Sequence, residues 1–135
     1  MPKHVYEEVD HTADIALRVW GEAFTALLMH AAEGMYDLMG IELIADSQVE
    51  NTFLIAEDSP ESMLVDFLNE CLYLAEVKKH AFKTFSFIEK DRKLHINATG
   101  VEINTIMRQI KAVTFHKIEI IHTPTGLETT ITFDV

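Results

Sequence analysis

Apolar positions along the chain switch between a period of two and a period of about 3.6, and the switches predict its elements. Between Tyr6 and Trp20 two extended pieces flank Asp10-His11-Thr12. The second, Ala13 to Trp20, alternates in part, ends in β-forming residues and is broken by Gly21. Phe24, Leu27, Leu28, Ala31, Met35 and Leu38 then fall at helical spacing, an amphipathic stripe that Gly40 stops. Val49 to Ile55 reads as a strand. Ser59-Pro60 supplies an N-cap and a first helical residue. The helix behind it gathers Leu64, Phe67, Leu68, Cys71, Leu72 and Ala75 on one face, while Asp66, Asn69, Glu70 and Lys78 mostly face away.

The rest is strand-like. Phe82 to Phe87 alternates, Asp91-Arg92 turns, and Leu94 to Ala98 returns as a hairpin partner. Lys111 to Ile121 alternates through Val113, Phe115, Ile118 and Ile120, Pro124-Thr125-Gly126 turns, and Thr129 to Val135 runs as a last strand. Two helices among mostly hairpin-linked strands predict an α+β fold: a two-layer α/β sandwich, one mostly antiparallel sheet with both helices packed on one face.

At 135 residues, with only 5 Gly and 3 Pro and no repeat or low-complexity tract, the pattern suits one domain over 1–135. The 48% hydrophobic content, including 8 Phe, supplies a core that needs neither disulfide nor structural metal. The lone cysteine, Cys71, sits in an apolar run, where a buried thiol is expected.

Charge narrows the partners. Eleven Lys and Arg stand against 22 Asp and Glu, a formal net charge of −11. Tight RNA or DNA binding rests on cation–phosphate contacts, so this balance argues against it. It suits docking on a basic partner surface, gathering a cation, or simply keeping the chain in solution. The N-terminus carries no apolar leader, and no run approaches the ~18 apolar residues of a membrane span, so a cytoplasmic protein is expected, with no membrane partner.

Catalytic signatures are absent. The chain has no G-x-G-x-x-G, no P-loop, no G-x-S-x-G elbow and no cysteine pair for zinc. None of its seven histidines lies in an H-x-x-x-H or H-E-x-x-H arrangement. A metal-dependent hydrolase acting alone would need a nucleophile–base pair, and none is recognisable. Two acidic clusters remain. Asp10-His11-Thr12-Ala13-Asp14 puts two carboxylates, an imidazole and a hydroxyl within five residues, which could offer oxygens to a hard cation or form a polar turn. Asp134 precedes Val135, whose α-carboxylate would add an oxygen pair; held in a sheet the two would make a rigid acidic pocket, and frayed they would be a solvated tail. Spacing does not decide whether Asp14 lies beside them.

Three stretches carry a resemblance to a known family. The first is Asp10-His11-Thr12-Ala13-Asp14-Ile15 with Trp20-Gly21 and Gly34-Met35-Tyr36-Asp37-Leu38-Met39. The second runs from Leu64 to Leu74. The third is Lys111-Ala112-Val113-Thr114-Phe115-His116 with the Phe133-Asp134-Val135 ending. In this order, over nearly the whole chain, they resemble the archease family. That resemblance implies an α/β sandwich containing an inserted strand–helix–strand–strand (SHS2) module. It implies a cofactor of an RtcB-type RNA ligase, which joins RNA 3′-phosphate or 2′,3′-cyclic phosphate ends to 5′-hydroxyls in tRNA splicing and RNA repair. The cofactor would promote guanylylation of the ligase's active-site histidine and multiple turnover, without a catalytic nucleophile of its own.

The resemblance also implies a metal site of Asp14, Asp134 and Val135. The expected ion is Ca²⁺, with Mg²⁺ or Mn²⁺ as alternatives. Two side-chain carboxylates and a terminus underfill a shell of roughly 6–8 oxygens, so waters or partner groups would complete it. His11, Lys111 and His116 lie in the same blocks and form an expected functional surface. His11 would orient Asp14 or cap the turn, Lys111 would pair with the acidic pocket or a phosphate, and His116 could point to the core side of its strand. The alternative function is a chaperone, or a modulator of RNA-modifying enzymes such as methyltransferases; a chaperone should expose a large apolar patch.

Overall fold

The computed structural model describes residues 5–9 and 14–135. Strands β1 (Tyr6–Val9) and β2 (Ile15–Gly21) lead into helix α1 (Phe24–Met39). The predicted stripe is the buried face of α1, with Leu27, Leu28, Ala31 and Met35 out of contact with water. Gly40 closes the helix in the left-handed region, at φ 61°, its N–H donating to the Asp37 carbonyl. A short strand β3 (Ile41–Leu43) and then β4 (Val49–Ala56) follow. Helix α2 (Pro60–Tyr73) starts as the sequence predicts: Ser59 Oγ accepts the Ser62 N–H at 3.2 Å, and Pro60 occupies the first turn. Its end differs. The last turn widens into a π-turn, Leu74–Lys78, stopped by Lys79 at φ 62°.

A long hairpin, β5 (His80–Lys90) and β6 (Lys93–Ile106), comes next. Its two-residue turn holds Asp91 at φ 54° and Arg92 at φ 59°, the doubly left-handed geometry that matches strand twist. An L side chain pays for that conformation, so Arg92→Gly should raise stability by about 0.5–1 kcal/mol, read as a shifted urea midpoint at constant slope. The chain finishes with β7 (Ala112–Thr114), β8 (Ile121–Thr123) and β9 (Gly126–Asp134).

The architecture is α+β, with every strand pair antiparallel. The strands form two sheets where one sheet is expected from the sequence. The two ends of the chain build the first, in the order β1-β2-β9-β7 with β8 also on β9. The middle builds the second around β6, which pairs β4 and β5 along its first part and β3 near its end. Alternation marks a strand but not its partner, which is why the division is invisible in the pattern. The run β4-α2-β5-β6 is a strand–helix–strand–strand unit lying between the segments of the first sheet.

α1 packs on β2, α2 packs on β4 and β7, and the helices touch each other. Phe67 of α2 is enclosed by aromatic rings of the second sheet, with centroids 5.2 Å from Phe85 and 6.1 Å from Phe53 and Phe87. One apolar cluster continues from these rings through Met35 and Leu17 to Phe133.

The stretch Lys111 to Ile121 is not one strand. β7 ends at Thr114, Lys117 takes φ 51°, and the Ile118 N–H donates to the Phe115 carbonyl at 3.2 Å. Ile118 and Ile120 still pack against the core, so the alternation reflects burial without strand pairing.

Candidate functional site

β9 organises the acidic end of the molecule. On one side Ile15 of β2 pairs with Phe133, so Asp14, one residue further out, comes level with Asp134. On the other side Ala112 of β7 pairs with Asp134, and the Lys111 N–H donates to the Asp134 carbonyl at 2.7 Å. Phe133 is fully buried, and strand alternation turns the exposed Asp134 to the opposite face. Register thus brings Asp14, Asp134, Val135 and Lys111 to one sheet end, which spacing along the chain could not decide. Asp14 is half-buried, while Asp134, Val135 and Lys111 are exposed.

His11 lies outside the described residues. His116 sits in an exposed turn, its N–H donating to Thr114 Oγ1 at 3.3 Å. A place on the core side of a strand is therefore incorrect for it, because β7 has already ended. Among the described residues Lys111 meets no carboxylate at ion-pair distance.

Asn69, which the helical stripe predicts to face outward, clamps β7 from the side opposite β9. Its Nδ2 donates to the Val113 carbonyl at 3.3 Å and its Oδ1 accepts the Val113 N–H at 3.0 Å. β7 is the last strand of its sheet, so this amide stands where a further strand would pair. Glu61 Oε2 accepts the Ile120 N–H at 3.0 Å, tying the following segment to the same helix. Nothing in a helical stripe marks such a clamp; an Asn flanked by buried Phe67, Leu68, Cys71 and Leu72 was the available signal. Asn69→Ala leaves both Val113 groups unpaired and should cost about 2 kcal/mol. The Val113 amide should then exchange with solvent much faster, and unchanged exchange would show that β9 alone holds β7.

Among the described residues no three His, Cys, Asp or Glu side chains gather as metal ligands. Among the described residues the side chains at the acidic end supply two carboxylates, Asp14 and Asp134. This donor set fits a hard cation: all oxygen, partly open, with main-chain oxygens at Val135 beside it.

Cys71 is fully buried, and burial pushes its thiol far above the ordinary value, keeping it protonated. Tyr36, against Cys71, is raised likewise by burial, and its hydroxyl accepts the Phe82 N–H at 3.2 Å. A groove of about 580 Å³ opens between α1 and the second sheet, lined by His30, Glu33, Tyr36 and Phe82 among others. Asp14 and Asp134 do not line it.

The family model for the Archease protein family (MTH1598/TM1083) matches residues 6–135. The chain belongs to the archease family. It is 31% identical to the protein archease of Methanosarcina barkeri, over 96% of this chain and 95% of the relative. It is 28% identical to the archease-like protein of Dictyostelium discoideum, over 96% and 93%. Two solved structures share the fold. The solution structure of Methanobacterium thermoautotrophicum protein 1598 aligns with TM-score 0.73 at 23% identity, covering 97% of this chain and 99% of that one. The crystal structure of a Thermotoga maritima archease, described as a possible chaperone, aligns with TM-score 0.71 at 24% identity, covering 96% of each.

Several archease-like residues act in packing here. A side chain at Gly34 would run into Leu17 and Tyr6, so glycine lets α1 lie close on the first sheet. The Tyr6 hydroxyl donates to the Asp37 carboxylate, and Tyr36 bridges α1 to β5. No helix among the described residues is long and apolar enough to cross a membrane.

Proposed function

We propose that this archease is an accessory protein of an RtcB-type RNA ligase, promoting ligase guanylylation and multiple turnover through a divalent cation held at Asp14, Asp134 and Val135. The observation that supports this reading is the β2–β9 register, which brings Asp14 level with Asp134 at a sheet end where Asp134 and Val135 are exposed. Asp14 and Asp134 would hold the ion, Ca²⁺ first and Mg²⁺ or Mn²⁺ as alternatives. The ion, when bound, supplies positive charge that can offset phosphate charge during nucleotidyl transfer. The residues themselves bind, orient and leave coordination positions free: two carboxylates fill only part of a shell of roughly 6–8 oxygens. Lys111, fixed by its backbone to Asp134, adds a cationic side chain on the same end. A net charge of −11 favours contact with a basic protein surface over direct nucleic-acid binding.

The second reading, a chaperone, takes its support from the description of the Thermotoga maritima relative. Two assays separate them. With wild-type chain present, the ligase should form more than one joined product per ligase molecule, and aggregation of an unrelated heat-denatured client should be unchanged. Suppressed aggregation without stimulated ligation would move the chaperone reading to the front.

A further inference from the structure

The outer face of the second sheet, the side away from Phe67, carries features that the acidic site does not use. Leu54 of β4 and Ile88 of β5 both pair with His95 of β6, forming one row across three strands. Leu54 is 51% exposed and Ile88 56%. Next to them on the same face, Thr52, Asn97 and Ser86 form a polar row. On the other side stand Lys93 and Lys90, paired at the hairpin end. A shallow depression of about 500 Å³ runs over Thr52, Leu54, Ile88, Lys90, His95 and Asn97. His95 Nε2 is covered there without a hydrogen-bond partner among the described residues.

Charge on this face opposes that of the molecule. Lys90 and Lys93 stand on it, and Arg92 occupies the hairpin turn beside them together with Asp91. Among the described residues neither Lys90, Arg92 nor Lys93 has an ion-pair partner. Among the described residues Glu50 is the carboxylate that register places on the face, at the end remote from the lysines, while Asp66 and Glu70 of α2 flank Leu54 at the β4 edge. Aliphatic side chains beside unpaired lysines fit an acidic protein segment that brings its own aliphatic anchor.

We infer that the β4-β6-β5 face is a docking surface for an acidic, aliphatic-anchored segment of the partner ligase, separate from the Asp14–Asp134 end. The inference rests on the ligase-accessory reading. It gives the chain two contacts of opposite charge: this face holds the partner while the acidic end acts on it.

The test is calorimetric titration of the purified ligase with wild-type chain, the L54S/I88S pair and the K90E/K93E pair, each at low and moderate salt. These side chains are exposed, so unfolding midpoints should stay near wild type. Each pair should weaken binding about tenfold or more, and K90E/K93E should also lessen its salt dependence, leaving only that of the acidic end. Wild-type binding with both pairs binding equally well overturns the inference and leaves the ligase reading standing. No binding by wild type overturns both. Binding of a single-stranded RNA without ligase, lost in K90E/K93E, would overturn it in favour of nucleic acid. A dimer in sedimentation lost in L54S/I88S would overturn it in favour of a second copy.

Discussion

Phe67→Ala should destabilise the protein by about 3–5 kcal/mol, because it empties the space between three aromatic rings and the helix that carries it. Phe67 is fully buried, edge-on to Phe85 at 62° and within 6.1 Å of Phe53 and Phe87. It links α2 to both outer strands of the strand–helix–strand–strand unit, since Phe53 lies on β4 and Phe85 and Phe87 on β5. The loss should extend to the acidic end. Asn69, two residues along α2, brackets β7, so a loosened helix also loosens the strand beside Asp134. Urea unfolding checks the magnitude, and a loss below about 1 kcal/mol would mean that the rings close over the gap.

Gly100→Ala is the second large effect expected, about 3 kcal/mol, from overlap rather than from a cavity. An added Cβ would overlap the Ala81 carbonyl oxygen and stand 2.6 Å from the Phe82 Cα. Both are backbone atoms of β5, so no rotamer change relieves them. β5 bulges between Phe82 and Thr84 opposite this point, and the bulge presses the two backbones together. Reduced soluble yield and a lowered thermal midpoint should result; a midpoint within a degree or two of wild type would show that the bulge relaxes.

The helices were legible because burial follows a 3.6 period and their ends carry local chemistry. The Leu27-Leu28-Ala31-Met35 stripe, the Ser59-Pro60 start and the Gly40 stop all lie within a few residues of the structure they determine. The Asp91-Arg92 turn was legible for the same reason. So was the β5–β6 pairing across that turn; partnership between distant strands was not, since β2 meets β9 across more than 100 residues and only that pairing brings Asp14 level with Asp134. The π-turn at Leu74–Lys78 has no Gly or Pro to mark it. The end of β7 before His116 was not legible because Ile118 and Ile120 keep an alternating pattern after the strand has stopped. Of the acidic site, the residue types were readable and their convergence was not.

If the Asp14–Asp134 end acts on a ligase, the fraction of guanylylated ligase formed with GTP and a divalent cation reports it most directly. The comparison is between no added chain, wild type, and Asp14→Asn. Wild type should raise guanylylation well above the ligase alone, and Asp14→Asn should return it to that level with the unfolding midpoint unchanged. Equal stimulation by wild type and Asp14→Asn would remove the acidic end from the account, and no stimulation by either would contradict the accessory role itself.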